Sequence, residues 1–167
     1  SIKINKEERT QMLKAIPRNS VIGFLIGVLP GAGATIASFL AYGMERNFVS
    51  DEEKAKFGKG SVHGLTAPET ANNAACSGAF VPLLTLGIPG SGTTAVMLGA
   101  LLGFGIQPGP RLYITNPEIF WSVIMSMYIG MVILLILNLP LIPYIARILA
   151  VPKNYLIPLI LFFSITG

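Results

Sequence analysis

The sequence predicts an all-α integral membrane protein, and three observations carry that prediction. Of 167 residues, 52% are hydrophobic and only 12% charged, with a mean hydropathy of +0.66, where an average soluble domain carries about 25% charge. The charges are gathered into short segments that separate long uncharged runs, among them residues 19–44, 70–110 and 120–139. Two of these runs are interrupted by the same device, Leu29-Pro-Gly-Ala-Gly-Ala-Thr35 and Ile88-Pro-Gly-Ser-Gly-Thr-Thr94, which align without gaps. At membrane depth irregular backbone is tolerated only where it is buried or lines a wet cavity, so paired interruptions point to a solute site.

Residues 1–18 are polar and basic (Lys3, Lys6, Arg9, Lys14, Arg18), and Asn5 followed by Glu7 and Glu8 forms a helix start. They read as an interfacial segment whose short helix ends before Pro17. Residues 19–167 then form the transmembrane part. The first run, 19–44, has 26 uncharged residues, enough to cross a core of ~30 Å as a helix. However, the half before Pro30 supplies only ~15 Å at 1.5 Å per residue. Both flanks of the run carry Lys and Arg, which the positive-inside rule places in the cytoplasm. A re-entrant hairpin with its tip at Pro30–Gly33 is therefore favoured over a broken single span, which the midpoint break also fits.

The run from Thr70 to Gly105 is long enough for two passes or a second hairpin, with Pro82 and Pro89 as break points. Ile106–Pro117 is a turn region rich in Pro and Gly. Glu118 after Pro117 suits a first helical turn, and Phe120–Leu139 follows as the most secure transmembrane helix, with Trp121 and Tyr144 as interfacial aromatics. A last apolar run spans Tyr155–Ile165. The chain has no initiator Met and stops within this run, as expected of a piece of a longer protein.

Each Pro-Gly-x-Gly-x-Thr leads into an apolar helix. A helix start offers unpaired backbone N–H groups and a positive dipole end, and glycines let a ligand reach them. This makes Pro30, Gly31, Gly33 and Thr35, with Pro89, Gly90, Ser91, Gly92, Thr93 and Thr94, candidate contacts for a carboxylate; the bland alternative is close helix packing through small residues. Glu69 stands with Asn72 and Asn73 at the head of the longest uncharged run. It is either a helix-start acid after Pro68 or an interior carboxylate that binds a coupling ion or scaffolds the site. Asn72 and Asn73 each offer donor and acceptor, and both are candidate substrate contacts, with Asn72 also available to the coupling ion.

Other signals are weak. The net charge of +4 belongs to loops rather than to a nucleic-acid surface. One cysteine, Cys76, and one histidine, His63, supply no metal-ligand spacing, so no metal site or cofactor is expected; His63 reads as a loop histidine and Cys76 as a packing residue. Neither interruption matches a nucleotide loop. Ser91 fails Gly-x-Ser-x-Gly because Pro89 stands where the first glycine belongs.

Taken together, L-P-G-A-G-A-T-I-A-S-F-L-A-Y-G, F-G-K-G-S-V-H-G-L-T-A-P-E-T-A-N-N-A-A, P-L-L-T-L-G-I-P-G-S-G-T-T-A and Q-P-G-P-R-L resemble the large membrane subunit of tripartite tricarboxylate transporters, the TctA family. The resemblance covers nearly the whole chain. It implies a multi-pass protein of the bacterial inner membrane that works with a small membrane subunit (TctB-like) and a periplasmic solute-binding protein (TctC-like). It also implies two related halves, of which this chain resembles the second. In that family the position of His63 is often occupied by another residue.

The expected function is thus a non-enzymatic one: inward secondary active transport (symport) of a citrate-like di- or tricarboxylate, coupled to a Na⁺ or H⁺ gradient. Two rivals differ in class. An intramembrane hydrolase would have only Ser91 and Glu69 to work with and no evident base. A passive channel or structural subunit would not need paired broken helices.

Overall fold

The computed structural model describes residues 4–147 and 152–166, and every regular element among them is helical. The chain divides into two units, Ser1–Trp121 and Ser122–Gly167. In the first unit α1 spans Lys6–Val28, α2 Gly33–Phe48, α3 Asp51–Lys54, α4 Val62–Gly78, α5 Phe80–Leu86, α6 Gly92–Gly103 and α7 Leu112–Thr115. Helix α8, Pro117–Ile145, begins there and continues into the second unit, which ends with α9, Lys153–Thr166.

The N-terminal helix starts where the sequence says. Asn5 caps α1 by accepting the Glu8 N–H at 2.7 Å while Glu8 accepts the Asn5 N–H at 2.8 Å, the reciprocal pair of a capping box. It does not end before Pro17, as expected, but runs on to Val28 with Pro17 inside. A proline removes one helical hydrogen bond, and the packing of α1 along α4 and α2 outweighs that loss.

That packing rests on small residues repeated every four positions. Ala15, Asn19, Gly23 and Gly27 of α1 are buried, as are Ala37, Ala41 and Glu45 of α2 and His63, Ala67, Ala71 and Ala75 of α4. A Cβ added to Gly23 would stand 2.5 Å from Ala71 Cα, and one added to Gly27 would stand 2.5 Å from Ala75 Cα. The pairs advance together, so α1 and α4 run parallel with backbones nearly touching, while α2 runs back between their connections. Ala37, Ala41, Ala71 and Ala75 form the core, flanked by Ile26 and Ala34. Close approach through small residues is how helices associate where lipid offers no hydrophobic gain.

The 19–44 run therefore doubles back on itself. Its two ends meet where Arg18 pairs with Glu45, and its interruption at 29–32 forms the turn. Pro82 falls in the first turn of α5, where a proline costs least, and α5 closes on Gly87 in the left-handed conformation (φ +71). The Pro/Gly-rich 106–116 segment contains the short α7 and is tied to α5 by Gly109 N–H donating to the Leu84 carbonyl.

Helix α8 is longer than the sequence suggests, 29 residues, and holds Pro140 and Pro143 within it. Glu118 lies in its first turn as expected. Among the described residues it is the one helix long and apolar enough to cross a membrane, with a mean hydropathy of 2.4 over its most apolar 18 residues; α6 and residues 154–166 are shorter apolar helices.

Candidate functional site

The two aligned interruptions meet. Gly31 N–H donates to the Gly90 carbonyl at 3.3 Å, and the turns border a cleft of about 710 Å³, within the size range of small-molecule sites. Its lining includes Gly31, Gly33 and Thr35 from the first turn, Pro89, Gly90, Ser91, Gly92, Thr93 and Thr94 from the second, and Cys76 and Phe80 from the α4–α5 side.

The turns are alike in sequence but not in chemistry. Gly31 and Gly33 take left-handed backbone, φ +84 and +68, which a side chain disfavours. They aim the chain into α2, whose N-cap position holds Ala32 and makes no side-chain cap hydrogen bond. The first N–H groups of α2 thus lack the partner a Ser or Asp would supply. The start of α6 is self-capped: Ser91 Oγ accepts the Thr94 N–H at 3.2 Å and Thr94 Oγ1 accepts the Ser91 N–H at 2.8 Å. Thr94 is buried and its hydroxyl also donates to the Ser91 carbonyl. Of the second turn, Gly92 and Thr93 are exposed and open to a ligand.

The other sequence candidates fall outside the cleft. Pro30 is exposed on the turn but does not line it. Glu69 is exposed in the middle of α4, which begins at Val62 under a Ser61 cap, so it is not a helix-start acid. Asn73 is also exposed and donates to the Glu69 carbonyl within its own helix at 2.9 Å. Asn72 donates to Ser38 Oγ of α2 at 3.2 Å, joining two helices.

A second polar constellation was not anticipated. Glu45, fully buried, accepts from Arg18 Nε at 3.0 Å and Arg18 Nη2 at 2.5 Å, from Asn19 Nδ2 at 2.8 Å, and bonds His63 Nδ1 at 2.7 Å. An ionised carboxylate only accepts, so Nδ1 carries the proton. Burial pushes the Glu45 carboxyl up, but its hydrogen bonds from Arg18, Asn19 and His63 outweigh this and hold it below the usual carboxylate range. His63 is thus no loop residue; it sits buried in the first turn of α4. Two of the three small-residue stripes end at a member, Glu45 and His63, and the third passes through Asn19. That fourfold spacing was the signal in the sequence. Counting 1.5 Å per residue along α1, the cluster lies ~18 Å from the glycine turns.

Residues 1–167 match the Tripartite tricarboxylate transporter TctA family. The chain belongs to that family. It is 42% identical over 164 residues to the "Uncharacterized 52.8 kDa protein in TAR-I ttuC' 3'region" of Agrobacterium vitis, a match covering 98% of this chain and 32% of the relative. It is 46% identical over 145 residues to the "Uncharacterized protein in TAR-II ttuC' 3'region" of the same organism, covering 87% of this chain and 59% of that protein. This TctA-family chain thus spans a third of one curated relative and under two thirds of the other. No solved structure matches it.

Proposed function

We propose that this chain is part of the membrane subunit of a secondary active tripartite transporter that imports small di- or tricarboxylates across the bacterial inner membrane by ion-gradient symport. The observation that carries this reading is the meeting of the two Pro-Gly turns at one cleft, with the uncapped start of α2 and the exposed Gly92 and Thr93 facing it. Backbone N–H groups and a helix dipole suit a carboxylate without a fixed cation. In this reading the α1–α2 hairpin re-enters the membrane from the cytoplasmic face, because both its ends are basic. A small membrane subunit and a periplasmic solute-binding protein complete the carrier.

The hydrolase alternative is the poorer account. The Ser91 hydroxyl is engaged as a helix cap, and neither Glu69 nor His63 lines the cleft around it. The deciding experiment is uptake of labelled citrate and of smaller dicarboxylates by proteoliposomes holding the complete carrier, with Na⁺ and proton gradients imposed separately. Accumulation against a gradient under either ion supports the reading. Equilibration alone indicates a channel, and no uptake under any gradient removes the assignment.

A further inference from the structure

The central helix of the first unit has one exposed face that its neighbours do not explain. Leu65, Glu69, Asn73 and Cys76 of α4 are exposed at spacings of four, four and three residues, one side of a helix. The face runs into the cleft, because Cys76 lines it. The register with α1 fixes its height. Gly23 stands against Ala71 and Gly27 against Ala75, so Glu69 is level with Val21 and Asn73 with Leu25. At that level α1 exposes Val21, Phe24 and Leu25, side chains that lipid accepts. The same slab cannot treat α4 alike: an ionisable Glu and an amide facing hydrocarbon are costly and mark a solute or ion path.

We propose that the Glu69–Asn73–Cys76 face of α4 lines a water-filled approach to the glycine cleft, and that its acid draws cations into it. This rests on the reading of the chain as part of a membrane carrier. The carboxylate of Glu69 lies ~10 Å along the helix from Cys76, so the approach is anionic where it begins while the glycine turns present N–H donors. A cation is thereby favoured beside Glu69 and an anion at the turns, at separate places in one passage.

Water accessibility tests this without transport. In the full-length carrier in membrane vesicles, with all other cysteines replaced, single cysteines are compared at Cys76 and in the variants Glu69→Cys, Asn73→Cys, Val21→Cys and Leu25→Cys. The probes are charged, membrane-impermeant methanethiosulfonates. Positions 69, 73 and 76 are expected to react at least roughly tenfold faster than 21 and 25. The cationic reagent should outpace the anionic one at Asn73→Cys, and adding Glu69→Gln should remove that preference. Equal rates at the α4 and α1 positions overturn the proposal, whether lipid or protein covers the face. A fast but charge-indifferent reaction at Asn73→Cys overturns the cation part. Failure of citrate uptake with labelling intact strikes the functional reading instead, so the two outcomes are separable.

Discussion

Gly31 and Gly90 are joined backbone to backbone, the N–H of one donating to the carbonyl of the other at 3.3 Å. This bond turns a repeated sequence device into a single structure. Gly90 is itself buried, packed on other small residues: a Cβ there would stand 3.3 Å from Ala79 Cβ and 3.6 Å from the Gly27 carbonyl oxygen. The glycine turns are thus seated on the same small-residue packing that brings α1 and α4 together, so the geometry of the cleft depends on helix contacts deeper in the unit.

That dependence gives the first prediction. Gly27→Ala places a methyl 2.5 Å from Ala75 Cα, and the backbones must part. Overpacking of this kind costs about 1–3 kcal/mol. The thermal midpoint of the purified full-length protein should fall, whereas Gly99→Ala, in open space on α6, should leave it unchanged or slightly raised. Equal midpoints for the two variants would show that α1 and α4 do not pack this closely.

The Glu45 cluster gives the second. Arg18→Met leaves a fully buried carboxylate without its guanidinium partner, and losing one partner of a buried pair costs about 3–5 kcal/mol. Because Arg18 is a third exposed, the lower end is expected. Glu45→Gln should cost less, since Arg18 can turn toward water. Chemical denaturation of the detergent-solubilised protein distinguishes the order of the two.

A third prediction concerns pH. The Glu45 carboxyl is depressed in the folded protein, and a depressed acid stabilises the fold above its unfolded pKa, about 4.3 for glutamate. This stability is lost as pH falls through the lower native value. Below about pH 4 the wild type should therefore lose thermal stability more steeply than Glu45→Gln. Parallel curves would show that the carboxylate contributes no pH-dependent stability.

The sequence showed the helical class, the α1 start, the interruptions within Leu29–Thr35 and Ile88–Thr94 and an apolar helix over 120–139, because each has a local cause: a cap, a Pro-Gly pair or an unbroken apolar run. It misjudged Pro17, where tertiary packing overrides a local penalty, and the role of His63, which depends on helices meeting across 18 residues of chain. The two glycine turns could be matched by alignment. What could not be read was their difference, because Ser91 in place of Ala32 decides capping only once both helices exist. The Glu69–Asn72–Asn73 group seemed to be one site since its members are adjacent in sequence, yet a helix points neighbours in different directions. Asn72 went to α2 and the other two to the exposed face.

Topology is the fourth prediction. The ends of the 19–44 run meet at Arg18 and Glu45, so cysteines introduced by Lys14→Cys and Lys56→Cys should be modified by an impermeant reagent from the same side of the membrane, the cytoplasmic one. Modification from opposite sides would exclude a re-entrant hairpin.

The last prediction separates ligand contact from packing at the glycine turns. Alanine at Gly33 meets no atom but must adopt φ +68, a strain of about 1–2 kcal/mol. A loss of transport there would be ambiguous, because the turn itself would be disturbed. Gly92 has neither difficulty: it lies outside the left-handed region, and a Cβ there meets nothing within 4 Å. It is also the first residue of α6, where alanine favours the helix. Gly92→Ala should therefore fold as well as wild type while adding a methyl to the cleft wall. If a carboxylate lies against the α6 start, uptake should fall roughly tenfold, equivalent to about 1.4 kcal/mol of lost interaction, with the amount of protein in the membrane unchanged. Normal uptake by Gly92→Ala would remove the α6 turn from the substrate site and leave the uncapped start of α2 as the anion-binding end.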